Sequence, residues 1–279
     1  MTARAAGLVI AGALIAVVGA VCGIGGGLFA VPLLHYGFGL PLRRSVATSL
    51  ALVFATSTAA TLAELVHADG ALLWSVALPL IGGALVGSKY GFKLSKRIPD
   101  LALKGLFLVA LSLVGARMWW MPAGPIQPAP GAHVLAALEV ASVIVLGLLA
   151  GAIAPLLGIG GGLVVVPGLL FLLPDIGGLG ARAASLAMAV PNAARSLQLY
   201  AREGAIEKGP ALWFAGGALV GGVLGVELVH IPGVARLGQL LLGGILLVTA
   251  ARFGVDIARR LGRPPETDGQ LHGVERSKP

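Results

Sequence analysis

The sequence predicts an all-α polytopic membrane protein made of two inverted repeats, each a broken-helix hairpin plus three transmembrane helices. The first observation is composition: 57% of the 279 residues are hydrophobic, 11% are charged, and the mean hydropathy is +0.94. A soluble domain carries about 25% charged residues, and a chain of this length could not hide so much apolar surface from water. The second observation is a duplicated decapeptide, and the third is the distribution of Lys and Arg.

The duplication sets the domain boundaries. Gly23–Pro32 (GIGGGLFAVP) matches Gly158–Pro167 (GIGGGLVVVP) at an offset of 135, with eight of ten residues identical. A second block, Gly82–Gly87, recurs unchanged as Gly216–Gly221 at an offset of 134. We therefore predict a first repeat over 1–121, a Pro-rich linker over 122–133, a second repeat over 134–257 and a polar cytoplasmic tail over 258–279.

A membrane span needs about 20 apolar residues. Such runs, the first somewhat shorter, lie at 7–22, 45–66, 71–91, 98–118, 134–157, 183–201, 209–229 and 234–254. The runs after the glycine clusters, 28–40 and 163–173, are shorter and contain proline, which predicts half-helices. The first run, with Cys22 at its end, also fits a signal sequence. Because it continues into a motif that recurs later, we expect it to stay in the protein, with Cys22 as a small packing residue.

The Lys and Arg pattern gives the orientation. If each glycine cluster is the turn of a hairpin, each repeat has an odd number of spans and the second repeat is inverted. Fifteen Lys and Arg then face the cytoplasm and three, Arg117, Arg182 and Arg236, face outside, in agreement with the positive-inside rule. Both termini are predicted to be cytoplasmic. Four parallel spans per repeat would split the basic runs between the two sides.

The glycine clusters are the main candidates for a substrate site. Irregular backbone survives in a bilayer only where it is buried or lines a cavity, and half-helix N-termini attract anionic groups. Glycine runs also permit tight helix crossing, but their repetition favours a site. The candidate residues are Gly23, Gly25, Gly26, Gly27, Gly158, Gly160, Gly161 and Gly162. The stripes of glycine at every fourth position, Gly83 to Gly91 and Gly217 to Gly225, predict helix packing instead.

Polar residues inside spans are costly and are therefore functional candidates. We add Thr48, Ser49, Ser185, Asn192 and Arg195 to the substrate site. Any single hydroxyl could instead bond to its own helix, and Arg195 could extend to the membrane surface, as we expect for Lys104. Glu64, Glu139 and Glu227 lie near span ends, where we expect them to be interfacial and solvated. Coupling to protons through these acids or His35 stays open.

The net charge of +8 lies in short runs between spans, so we expect no nucleic-acid partner. No metal-ligand spacing and no nucleophile–base pair is present in the sequence, so we expect neither a metal or cofactor nor an enzyme. The predicted partners are the lipid bilayer and a small anionic substrate. An anion channel and a membrane-embedded assembly factor or enzyme are the alternatives. The sequence does not indicate an oligomeric state.

Several motifs resemble the sulfite exporter TauE/SafE family of membrane permeases: GIGGGLFAVPLL with PLRRSVATSLALV, and GIGGGLVVVP with ARAASLAMAVPNAARS. The resemblance covers nearly the whole chain except the tail. It implies secondary transport of sulfite, sulfonates or related organic anions across the bacterial inner membrane. It also implies a substrate region at residues 23–27 and 158–162, with Ser49 and Ser185. It does not imply a particular anion or a direction of transport.

Overall fold

The computed structural model describes residues 3–66, 71–120, 135–229 and 234–261. The predicted linker over 122–133 and most of the predicted tail lie outside these residues.

The described residues form ten α-helices. Eight of them have 20 to 28 residues: α1 (Ala3–Cys22), α3 (Leu42–Val66), α4 (Trp74–Ser95), α5 (Asp100–Trp120), α6 (Ala137–Leu157), α8 (Gly177–Arg202), α9 (Lys208–Val229) and α10 (Val234–Leu261). Two short helices follow the glycine clusters: α2 (Gly27–Pro32), extended by a π-helical turn over Leu33–Gly37, and α7 (Gly162–Leu172). A 3-10 turn at Pro174–Ile176 joins α7 to α8.

The helices confirm the predicted all-α membrane architecture. α3, α6, α9 and residues 5–22 of α1 are each long and apolar enough to cross a bilayer. α7 and α8 pass the same test together, with a bend of 110° between them. Both half-helices lie where the glycine clusters predict them. α8 begins six residues before its predicted span, and α10 continues seven residues beyond the predicted 254.

Polar contacts define the two ends of the helix bundle. At one end, Arg43 bonds to Asp100, Arg44 pairs with Glu207 and Lys96 pairs with Glu203. The starts of α3, α5 and α9 therefore meet the ends of α4 and α8 there, and we name it the basic end. At the opposite end, which we name the Glu64 end, α3 finishes and α8 begins.

Two helix pairs cross between the repeats through the predicted glycine stripes. Cβ atoms on Gly83, Gly87 and Gly91 of α4 would overlap backbone carbonyls at 144, 148 and 152 of α6. Gly217, Gly221 and Gly225 of α9 lie in the same way against residues 9, 13 and 17 of α1. In both pairs the numbers rise together, so the paired helices run parallel. Since α4 runs from the Glu64 end to the basic end, α6 does too, opposite to its repeat counterpart α1. The second repeat is inverted.

Candidate functional site

Both glycine clusters turn the chain through left-handed backbone. φ is 71°, 73° and 82° at Gly23, Gly25 and Gly26, and 67°, 74° and 97° at Gly158, Gly160 and Gly161. Residues with a Cβ atom avoid this region, so these turns need glycine. Gly26 and Gly161 then act as the N-caps of the two half-helices. Each cluster therefore forms the predicted turn between a long helix and a short one.

The two clusters lie against each other and run in opposite directions. A Cβ on Gly27 would overlap the carbonyl oxygen of Gly158, and a Cβ on Gly162 would overlap that of Gly23. The first residue of each cluster thus contacts the last residue of the other, as an inverted repeat requires. We call this contact the glycine crossing. At these points the backbones are too close to admit an anion, so the predicted space between the clusters is closed in this conformation.

Ser49 and Ser185 tie each cluster to the opposite repeat. Ser185 Oγ donates to the Gly23 carbonyl at 2.7 Å. Ser49 Oγ shares its proton between the Val46 carbonyl of its own helix at 2.8 Å and the Gly158 carbonyl at 3.1 Å. Both serines are fully buried. They satisfy carbonyl groups that the helix breaks leave without helical partners, so their observed role is to position the clusters.

Two further predicted residues lie away from the crossing. Thr48 is buried, but its Oγ1 accepts a hydrogen bond from the backbone N–H of Glu207 at 3.2 Å. Thr48 therefore holds the connection between α8 and α9. Arg195 is exposed on α8, whereas Asn192 and Ser196 on the same helix are fully buried. The structure does not bring Arg195 together with the clusters.

Unpartnered polar atoms are buried on α3 and α8, and two of the four residues that carry them, Ser57 and Asn192, contact the glycine clusters. Thr56 Oγ1, Ser57 Oγ, Asn192 Oδ1 and Ser196 Oγ have no hydrogen-bond partner among the described residues, and all four residues are 0% exposed. A Cβ on Gly25 would lie 2.9 Å from Ser57 Oγ. Asn192 Nδ2 donates to the Gly160 carbonyl at 3.0 Å. Each buried polar group without a partner costs about 1–3 kcal/mol, so these atoms are candidates for contact with a ligand.

An ion pair is buried at the Glu64 end. Arg182 Nη2 donates to Glu64 Oε2 at 2.6 Å and Arg182 Nη1 donates to the Ala20 carbonyl at 3.3 Å. The side chains of Arg182 and Glu64 are 4% and 1% exposed. The predictions of an external loop position for Arg182 and of a solvated Glu64 are therefore wrong. α8 begins early enough to bury Arg182, and each charge compensates the other.

Lys104 also differs from its prediction. Its Nζ donates to Asp256 Oδ2 at 2.9 Å, and its side chain is 5% exposed. It therefore pairs with α10 rather than extending to the membrane surface. The sequence predicts that the last span ends at residue 254. Asp256 lies beyond that residue, in the part of α10 that extends to Leu261.

Two cavities lie toward the basic end. The larger, about 410 Å³, is an apolar groove between α3, α8 and α9, lined by Phe54, Leu197 and Leu212 among others. The smaller, about 90 Å³, is lined by Arg43, Val46, Lys96, Leu156 and Tyr200. The Gly158 carbonyl contacts Ser49 of α3, one helical turn after Val46. Since Val46 lines the smaller cavity, this cavity lies near the side of the glycine crossing that faces the basic end.

The family match covers most of the chain. The model of the family described as Sulfite exporter TauE/SafE matches residues 1–118 and 143–277. The chain belongs to this family. The match confirms the resemblance carried by the glycine motifs, and it includes both repeats.

Similarity to curated proteins is more local. The chain is 32% identical over 104 residues to "Probable membrane transporter protein MamO" from Magnetospirillum gryphiswaldense, which covers 35% of this chain and 16% of that protein. It is 29% identical over 100 residues to "Probable membrane transporter protein YunE" from Bacillus subtilis, which covers 36% of each. The matched stretches therefore span well under half of either relative. No solved structure matches the chain.

Three of the residues with unpartnered atoms, Thr56, Ser57 and Ser196, are not among the site residues that the sequence predicts. Thr56 and Ser57 look like ordinary helix hydroxyls, and Ser196 carries no signal by itself. Two sequence features connect them with the predicted residues: Thr56 aligns with Asn192 at the repeat offset of 136, and Ser196 lies four residues after Asn192, on the same helix face.

Proposed function

We propose that this protein is a secondary transporter that carries a small anion, such as sulfite or an organosulfonate, across the bacterial inner membrane by alternating access. The observation that carries the proposal is the glycine crossing with its unpartnered polar atoms. In transporters built from inverted repeats, broken helices meet near the bilayer midplane and form the substrate site. The family name adds support for a sulfur oxyanion. The basic end faces the cytoplasm in this proposal.

The buried polar groups of α3 and α8, at the crossing and next to it along these helices, suit an anion. The hydroxyls of Thr56, Ser57 and Ser196 can each donate one hydrogen bond, and the half-helix N-termini add positive potential. The eight cluster glycines and Asn192 complete the proposed site. Ser49 and Ser185 hold the clusters in place, and Thr48 and Arg195 are left outside it.

Transport requires the crossing to open. The contacts between Gly27 and Gly158 and between Gly23 and Gly162 join one repeat to the other. A rocking movement of one repeat against the other separates these backbones and gives the anion access to the hydroxyls. Alternation between the two ends follows from the inverted symmetry.

The test uses purified protein in proteoliposomes, with sulfite, a sulfonate and a carboxylate supplied with and without a pH gradient. Ser57→Ala is compared with Ser88→Ala, because Ser88 is equally buried but donates to the Leu85 carbonyl of its own helix at 3.0 Å. We expect saturable anion flux, and a KM raised about tenfold in Ser57→Ala only, as the loss of one hydrogen bond to a charged group predicts.

Absence of flux for every anion would contradict the proposal, as would equal kinetics in the two serine variants. Flux that does not saturate would indicate a channel. A response to the pH gradient would identify protons as the coupling ion.

A further inference from the structure

The two ends of the bundle differ at positions that the repeat makes equivalent. At an offset of 136, Val46 corresponds to Arg182 and Glu64 to Tyr200; at 135, Ala20 corresponds to Pro155. At the basic end, Tyr200 Oη donates to the Pro155 carbonyl at 2.7 Å, beside the cavity of about 90 Å³ that Val46 and Tyr200 line.

At the Glu64 end, the equivalent volume is filled. Arg182 replaces the small Val46, and its guanidinium bonds to both Glu64 and the Ala20 carbonyl. Glu64 Oε1 also accepts a hydrogen bond from the backbone N–H of Ala71 at 3.1 Å. Ala71 packs beside it with Leu179 and Ala183 in a small buried cluster. Among the described residues, the Glu64 end therefore holds a buried ion pair at the position where the basic end holds a cavity.

Arg182 is also in contact with the glycine crossing. A Cβ on Gly23 would lie 2.9 Å from Arg182 Cγ, and Ser185, one turn further along α8, bonds to the Gly23 carbonyl. A movement of the first cluster relative to α8 must therefore displace the Arg182 side chain. The guanidinium is the one part of this contact that carries a full positive charge.

We propose that Arg182 is a substrate-binding residue at the Glu64 end of the pathway, and that Glu64 occupies its guanidinium while that end is closed. When the end opens, an oxyanion takes the place of the Glu64 carboxylate. The inference rests on the transport function proposed above and adds to it a residue and a ligand class.

The hydrogen-bonding capacity of Arg182 is not exhausted in the closed state. Its Nε is buried and has no partner among the described residues. Nε–H and Nη–H groups of a guanidinium form a planar fork that binds two oxygens of one carboxylate, phosphate or similar oxyanion. A halide has no second oxygen for this fork. The predicted ligand is therefore a small oxyanion such as sulfite, with chloride as the poor analogue.

A purely structural ion pair is the competing explanation, and the chain contains a control for it. Lys104 and Asp256 also form an ion pair with a buried cation, but they join α5 to α10 rather than contacting the glycine clusters. If burial alone explains Arg182, neutralising either pair should affect transport in the same way.

The experiment measures sulfite transport and thiol access in proteoliposomes. The double variant Glu64→Gln/Arg182→Gln leaves no buried charge unpaired, which keeps the fold testable. We expect its KM for sulfite to rise about 10- to 100-fold, the range for losing hydrogen bonds to a charged group. Arg182→Lys should give a smaller rise, and Lys104→Gln/Asp256→Asn should leave KM unchanged. Wild-type protein should prefer sulfite over chloride, and the double variant should lose that preference.

Cys22, the single cysteine, provides the second measurement because it precedes Gly23 directly. An impermeant thiol reagent added at the Glu64 end should modify Cys22 faster in Glu64→Gln/Arg182→Gln than in wild type, and Lys104→Gln/Asp256→Asn should leave the rate unchanged. An unchanged KM or an unchanged labelling rate in the double variant would overturn the proposal. Absence of any anion flux in wild type contradicts the transport function instead, and the labelling result still decides whether the ion pair closes this end.

Discussion

The glycine stripe on α4 allows a matched test of how the two repeats are held together. Gly87 lies against α6, and a Cβ there would sit 2.9 Å from the Ala152 nitrogen, with a closer overlap at the Leu148 carbonyl. Gly82, on the same helix, has no atom within 4 Å of such a Cβ. The same substitution, Gly→Ala, therefore meets a helix backbone at one position and open space at the other.

The magnitude follows from the geometry. Ordinary contact begins at 3.4 Å, so the Ala152 nitrogen alone requires α6 to move by 3.4 − 2.9 = 0.5 Å, and the closer Leu148 carbonyl requires more. A gap of 0.5–1 Å forfeits about a quarter to a half of the dispersion attraction between facing atoms, and overpacking costs about 1–3 kcal/mol. The gain in helix propensity, up to about 1 kcal/mol, is common to both variants. Gly87→Ala should thus be about 1–3 kcal/mol less stable than Gly82→Ala.

The assay is unfolding of the purified protein in mixed micelles by increasing SDS, followed by intrinsic Trp fluorescence. Gly221→Ala and Gly216→Ala repeat the comparison in the second repeat, since Gly221 faces α1 and Gly216 faces open space. Equal stabilities within about 0.5 kcal/mol in both pairs would refute the argument that close backbone packing of α4 on α6 and α9 on α1 joins the repeats.

Three other predictions follow from the described contacts. Ser185→Ala removes the donor to the Gly23 carbonyl and should cost about 1–3 kcal/mol of unfolding free energy in the same SDS assay; a smaller loss than in Ser88→Ala would contradict the positioning role. Arg182→Met leaves the buried Glu64 without its partner and should lower the free energy of unfolding by about 3–5 kcal/mol. Lys104→Met leaves an Asp256 that is one-third exposed, so the loss should be under about 1 kcal/mol. Similar shifts in the melting temperatures of the two variants would contradict this ranking. A cysteine at position 95, in a Cys22→Ser background, should react with impermeant reagents from the cytoplasmic side of membrane vesicles. Reaction from outside would reverse the proposed orientation.

Much of the architecture was predictable because bilayer constraints act on local sequence. Span length and apolar composition are read directly from the chain, and a duplicated GIGGG motif requires the same turn twice. The every-fourth-residue glycine stripes predicted packing seams, and the structure confirms them at Gly83 to Gly91 and Gly217 to Gly225.

The candidate site was only partly predictable. The sequence predicted the clusters and Asn192 as site residues, but it does not show the contacts of Ser49 and Ser185 with carbonyls more than 100 residues away. Whether a hydroxyl such as Ser57 bonds to its own helix or stays unpartnered is decided by its rotamer and its neighbours. Neither the long-range serine contacts nor the partner of such a hydroxyl can be predicted from the sequence of a single helix.

The sequence by itself determined the membrane environment, the two repeats, the half-helices and their inversion, since each of these follows from apolar length, repetition and the distribution of positive charge. Only the tertiary structure decided which charged residues pair with each other. Arg182 and Glu64 are 118 residues apart and each looks like a residue near a span end. Burial in a common interior makes an unpaired charge so costly that the two must meet. The ion pair is buried at one end of the bundle, whereas the neutral residues at the equivalent positions, Val46 and Tyr200, line a cavity at the other end.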